Sequence, residues 1–227
     1  MNDVSTLPKP RFIVIEGGDG SGKTSIREFL FAAFTRLGRM PLSITGSSWM
    51  DLRSTEMITK ARYLKIPYSH DEIRDAYVQD RVMLCDTLIR PALAERDVIC
   101  DRYVYSDLVY NDIDYDIGKR AMARAYRDAS LIEPSLIVHL DVSPEIAVAR
   151  LRARGKPMNP WETLEKQMAI RQGFKEVLSA AELGWSCPVY NIDSTLAPDE
   201  VIARVSVALD LGDLLRNHES GSAPPTP

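Results

Sequence analysis

Arg11-Phe-Ile-Val-Ile-Glu-Gly-Gly-Asp-Gly-Ser-Gly-Lys-Thr24 joins a short apolar run to a glycine-rich turn. The four apolar residues 12–15 predict a buried strand. Residues 17–24 fit the spacing G-x-x-x-x-G-K-[ST], and an amphipathic helix follows with Ile26, Phe29, Leu30, Ala33, Phe34 and Leu37 on its apolar side. Such a turn lets successive backbone N–H groups face one anion, while the following helix aims its positive end at the same point. Gly17, Gly18, Asp19, Gly20, Ser21, Gly22, Lys23, Thr24 and Ser25 are therefore the candidate ATP-binding residues. Lys23 supplies a cation for the β- and γ-phosphates, and the Thr24 hydroxyl can ligate Mg²⁺. A strand before the motif and a helix after it set it apart from a chance glycine-rich turn, so the chain is expected to bind a nucleoside triphosphate.

Outward from this motif, apolar runs at 41–45, 97–101, 135–142 and 188–192 predict four more strands, alternating with helical patterns. The helices are expected at about 53–63, 71–95, 103–111, 117–130, 143–154, 161–183 and from 198 onward, with Pro91 bending or ending the second of these. Alternation of this kind implies an α/β three-layer sandwich, a parallel five-stranded sheet with helices on both faces. Residues 1–217 read as one domain with a short lid at about 152–161, and the Ser/Gly/Pro-rich residues 218–227 read as a disordered tail.

The composition narrows the class. A net charge of −4 over 227 residues argues against a nucleic-acid polymer as partner. Cys85, Cys100 and Cys187 are odd in number and widely spaced, which favours reduced thiols over disulfides or a metal site. No apolar run reaches the length of a signal peptide core or a membrane span, so a soluble, cytoplasmic protein is expected.

Three further groups carry chemistry. Asp101 ends a strand, where a carboxylate can hold Mg²⁺, and the adjacent Arg102 can clamp a phosphoryl group. Arg150, Arg152 and Arg154 crowd one helix end before Gly155 and Lys156; cations there favour the helix dipole, but they also suit a lid that closes over phosphates. Tyr77 and Arg81 lie one helical turn apart and can face one pocket as a base-recognition pair, although an aromatic in this pattern is commonly core.

Taken together, these motifs resemble the thymidylate kinase family over nearly the whole chain. The marks are the 12–24 motif, Tyr77-Val-Gln-Asp-Arg81, Asp101-Arg-Tyr, Leu140-Asp-Val-Ser-Pro-Glu145 leading to Arg150-Leu-Arg-Ala-Arg-Gly155, and Ile192-Asp-Ser194. The resemblance implies a homodimeric enzyme that passes the γ-phosphate of MgATP to a deoxynucleoside monophosphate resembling dTMP. By position, Asp19 would contact the acceptor sugar or phosphate, Tyr77 would stack on the base and Arg81 would reach a base carbonyl. Arg102 would grip the acceptor phosphate, with Tyr110 under the sugar. Gly20 in place of arginine in the loop implies that the assisting cation, Arg152 or Arg154, comes from the lid.

Two departures stand out. After its second strand the family has Thr-Arg-Glu-Pro, whose arginine binds the acceptor phosphate; here the stretch is Thr45-Gly-Ser-Ser48, leaving Arg53 as the candidate substitute. Asp107 occupies a place where a neutral residue often faces the base, and a carboxylate there would favour a donor-rich base edge or else point away. Two alternatives are a deoxynucleoside kinase, suggested by Arg102-Tyr-Val-Tyr-Ser-Asp107, and a nucleotide-binding protein that transfers nothing.

Overall fold

A computed structural model describes residues 9–46, 49–159, 161–180, 183 and 186–211. Five parallel strands, β1 (Phe12–Gly17), β2 (Leu42–Thr45), β3 (Val98–Asp101), β4 (Leu136–Asp141) and β5 (Val189–Asp193), lie in the order β2-β3-β1-β4-β5. The helices are α1 (Lys23–Arg36), α2 (Leu52–Tyr63), α3 (His70–Leu84), α4 (Arg90–Leu93), α5 (Val104–Tyr115), α6 (Lys119–Asp128), α7 (Pro144–Ala153), α8 (Leu164–Ser179) and α9 (Pro198–Ala208).

Side chains alternate across a strand, and β1 is apolar on both faces, so it requires cover on both. Phe12 and Val14 join a core with residues of α2, α3, α5, α6 and α8, whereas Ile13 and Ile15 pack with α1 and α9. All four are essentially sealed from solvent. At about 1.5–3 kcal/mol per fully buried side chain, this central strand anchors both layers. Because β3 and β4 flank β1, the chain diverges to the two sides at its carboxyl end, where ligands of open α/β sheets collect. Both the glycine-rich loop and Arg102 emerge there.

Two helix expectations need correction. The pattern at 71–95 is not one α-helix, since Cys85–Ile89 form a π-helical turn, with the Arg90 N–H reaching the Cys85 carbonyl. That widened turn precedes Pro91, which sits in the first turn of α4, where a continuous α-helix would set the proline ring against a carbonyl four residues back. The helix expected from 161 begins only at Leu164, capped by Thr163, which leaves Trp161 and Glu162 outside it. Cys85 and Cys100 are buried and Cys187 is half-buried, all as free thiols. The expected tail at 218–227 lies outside the described residues.

Candidate active site

α1 begins after Gly22 with no side-chain cap, whereas Asp51, Ser69, Ser143 and Thr163 cap α2, α3, α7 and α8. The first-turn N–H groups of α1 are thus left for an anion. Lys23 is buried and its Nζ donates to the Gly18 carbonyl at 2.7 Å. Burial, with the charge of Arg102 adding to it, lowers the Lys23 pKa to about 8 against the opposing pull of Asp19, Asp101 and Glu16. Gly20 has φ 77°, and a Cβ there would lie 2.7 Å from the Ala147 carbonyl oxygen. No side chain fits at that place, so a cation at position 20 is ruled out sterically.

Glu16, fully buried at the end of β1, takes the place of a cap on α5. Its carboxylate accepts from the N–H groups of Tyr103 (2.9 Å) and Ser106 (3.2 Å) and from the Ser106 hydroxyl (2.5 Å). Burial raises its pKa to about 7 despite those bonds and the nearby Arg102. Arg102 sits in the left-handed region at φ 66°, a conformation uncommon outside glycine, with its N–H continuing the ladder to Ile15. Its guanidinium donates to the Gly17 carbonyl (3.0 Å), the Ser106 hydroxyl (3.1 Å) and Asp19 (2.5 Å), and lies 4.9 Å over the Tyr110 ring. Burial alone would push the Asp19 carboxyl up, but Arg102 and Lys23, with a smaller pull from Arg154, hold it below its ordinary value.

Two cavities meet this loop. One, of about 250 Å³, is lined by Asp19, Tyr77, Arg81, Arg102, Asp107 and Tyr110, together with Gly46, Trp49, Arg62, Asn159 and Trp161 among others. The other, of about 230 Å³, is lined by Gly20, Ser21, Gly22, Ser25, Ile26 and Arg150, with Ser194 and Leu196 opposite. Residues 19–22 therefore form a wall between two sites. Arg150 reaches weakly toward the Gly20 carbonyl (3.4 Å) and Ser194 (3.5 Å).

Beyond α7, Arg154 donates to Glu162 at 2.6 Å, while Arg152 is exposed. Glu162 is 2% exposed and also accepts from the backbone N–H (2.7 Å) and side-chain amide (3.3 Å) of Asn159. This knot joins Arg154 and Asn159 to Glu162. Nothing in the sequence marks Glu162, because its partners precede it in a loop without periodicity.

Comparison with known proteins places this geometry in a family. The family profile described as thymidylate kinase matches residues 15–201. The chain is 30% identical over 171 residues to a thymidylate kinase of Leptospira interrogans, covering 75% of this chain and 82% of that one. It is 28% identical to thymidylate kinases of Leptospira borgpetersenii (86% and 91% covered) and Coprothermobacter proteolyticus (86% and 96%). The chain belongs to the thymidylate kinase family.

Within that thymidylate kinase frame, the missing arginine has a steric reason. A Cβ on Gly46 would lie 2.0 Å from the carbonyl oxygen of Arg102. Arg53 does not replace it at the cavity: it is exposed on α2 and absent from the lining. Arg62 is there instead. Nine residues at 100° each make two and a half turns, so 53 and 62 lie on opposite sides of α2. The Asp107 expectation also changes. Its carboxylate lines the cavity but accepts from Arg81 Nε (2.7 Å) and Nη2 (2.9 Å) and from the Tyr126 hydroxyl (2.7 Å), so it is not a free acceptor awaiting a base. Tyr77 also borders the cavity, with its hydroxyl accepting from Arg62 at 2.9 Å.

For a divalent cation, Asp101 offers a buried Oδ1 that makes no hydrogen bond among the described residues, at the end of β3 beside the loop, with Arg27 4.0 Å from its other oxygen. Thr24, exposed on the first turn of α1, offers a hydroxyl. Two hard oxygen donors suit Mg²⁺, which takes few protein ligands and completes its shell with phosphate oxygens and water. Among the described residues no cluster of three or more His, Cys, Asp or Glu side chains could hold a metal. Nor, among those residues, is any helix long and apolar enough to cross a membrane.

Proposed function

We propose that this nucleoside monophosphate kinase transfers the γ-phosphoryl group of MgATP to dTMP, giving ADP and dTDP. The observation that carries the reading is the placement of residues 19–22 between two cavities, with Lys23, Asp19 and Arg102 gathered at the wall. The cavity beside Ser25, Ile26 and Leu196 takes the donor nucleoside. Phosphates lie on the uncapped start of α1, and Lys23 leaves the Gly18 carbonyl to meet them. Thr24 and Asp101 would hold Mg²⁺, which supplies charge neutralisation at the transferring group. Arg102 receives the acceptor phosphate, whose oxygen attacks as the bond to the β-phosphate oxygen breaks. Arg154, pinned by Glu162, contributes the lid cation, and Arg152 joins it on closure. Such charges matter because the transition state spreads negative charge over the transferring oxygens.

A monophosphate acceptor needs no strong base. That fits a site whose carboxylates, Asp19 and Asp107, are both ion-paired, and it disfavours a nucleoside acceptor. Family membership leads us to propose as well a single domain over 1–217, a homodimer and residence in the cytoplasm. An ADP-release assay with ATP and a panel of dTMP, dCMP, dUMP, dAMP, dGMP and thymidine tests the reading. Turnover with dTMP is expected. Turnover with thymidine and none with dTMP would overturn it in favour of a nucleoside kinase, and no turnover with any acceptor in favour of a binding protein.

A further inference from the structure

Three guanidinium groups line the acceptor cavity, and two are neutralised: Arg102 by Asp19 and Arg81 by Asp107. Arg62 differs. Among the described residues it makes no ion pair. Its guanidinium lies 5.8 Å from the Trp49 ring and 5.5 Å from the Trp161 ring, its Nη2 donates to the Tyr77 hydroxyl, and the Tyr115 hydroxyl is a further hydrogen-bond partner, so its acceptors are neutral phenols. Its Nε is buried and has no partner among the described residues. Indole faces partly compensate a cation, but they offer it no acceptor. Arg62 thus brings an unneutralised charge with hydrogen-bonding capacity to spare into a wall that is otherwise electrically balanced.

Arg102 is fastened to the loop, and Arg62 to Tyr77 and the two indoles, so they mark different parts of the cavity. The inference rests on the function proposed above: with the acceptor phosphate on Arg102, what comes to Arg62 is the edge of the base. Beyond Arg62 and Trp161 lies another cavity, of about 430 Å³, that shares both residues and adds Lys65, His70, Lys166 and Asp114 to its lining, with Asp114 3.6 Å from Lys166. A group leaving the base edge there passes Arg62 and enters a space where Arg62, Lys65 and Lys166 face a single carboxylate. A methyl group would satisfy none of these donors.

We propose that Arg62 is a specificity-determining residue that selects pyrimidine deoxynucleotides bearing a hydrogen-bond-accepting substituent at C5 of the base. Such a substituent would displace the Arg62–Tyr77 bond or add to it. It would turn an unsatisfied donor into a charge-assisted contact at little steric cost.

The test measures kcat/KM for dTMP, 5-hydroxymethyl-dUMP and 5-carboxy-dUMP in the wild type, Arg62→Leu and Arg62→Lys, with thermal unfolding of each. The readout is the ratio of each substituted acceptor to dTMP within one protein, because a general loss of cavity shape cancels in it. The wild type is expected to favour the carboxy compound by about ten- to hundredfold, the range of a hydrogen bond to a charged group. Arg62→Leu should bring that ratio to about one, and Arg62→Lys should keep most of it. A wild-type ratio near one, or an unchanged ratio in Arg62→Leu, overturns the inference and makes Arg62 a staple between Trp49 and Trp161. Phosphorylation of dTMP with no preference removes this inference alone, and failure to phosphorylate any of the three removes the functional reading with it. If Arg62→Leu does not fold, the wild-type ratio and Arg62→Lys still decide.

Discussion

Restoring the family arginine by Gly46→Arg should damage this enzyme rather than improve it. An ideal Cβ at residue 46 would lie 2.0 Å from the Arg102 carbonyl oxygen and 2.7 Å from its carbon. Non-bonded heavy atoms settle at about 3.5–4.0 Å, so the carbonyl would have to move by more than about 1 Å. That carbonyl is not free to do so. It accepts from Cys100 Sγ at 3.0 Å, and its residue holds φ 66° with its N–H bound to Ile15. Overpacking of this kind costs about 1–3 kcal/mol. At about 2–4 °C per kcal/mol for a chain of this size, Tm should fall by about 2–12 °C. Arg102 would also turn away from Asp19 and the acceptor phosphate. Losing one charge-assisted contact, about 1.5–3 kcal/mol, raises the acceptor KM about ten- to hundredfold. Scanning calorimetry with acceptor titration at saturating ATP measures both effects, and Gly46→Ala, which adds the Cβ without the charge, should reproduce the loss of Tm. Tighter dTMP binding in Gly46→Arg at unchanged Tm would refute the steric argument.

Lys23→Ala should lower kcat about a hundredfold or more, as removal of one transition-state donor does, with the fold intact by circular dichroism; turnover near wild type would exclude the loop from catalysis. Arg154→Ala and Glu162→Ala should each reduce kcat by about tenfold and more than they change ATP affinity, because both free the same lid knot; if exposed Arg152→Ala has the larger effect, the tethered arginine has been assigned wrongly. Lys23 with a pKa near 8 is partly neutral in alkaline buffer and must regain its proton to meet phosphate, so the Kd for ATP should rise with pH from about 8 toward 10.5; proton uptake measured calorimetrically in two buffers checks it. Glu16 is raised from 4.5 to about 7, so its contribution to stability is present below 4.5 and lost as pH rises through 7. Glu16→Gln should flatten stability against pH over that window, and an unchanged slope in urea titrations would contradict the assignment.

The sequence by itself determined the layers and the place of the glycine-rich loop between β1 and α1. The apolar run at β1, the mostly apolar β4 and the spacing of the glycine-rich loop are local signals, and local spacing dictates strand faces and the start of α1. Asp101 and Arg102 were legible for the same reason, each at the end of a strand. What only the tertiary structure decided concerns side chains that meet across elements. Arg53 was nearer in sequence to the missing arginine, but the helical turn of α2 carries Arg62 to the cavity instead. Asp107 looked like a base reader until packing of α3, α5 and α6 set Arg81 and Tyr126 on both its oxygens. Glu162, Trp49 and Trp161 carried no periodic signal, and their roles exist only where the lid segment, α2 and α5 converge. Gly46 read in one dimension as a missing arginine. In three it is the space that the left-handed Arg102 carbonyl needs, a close backbone approach that no sequence pattern records.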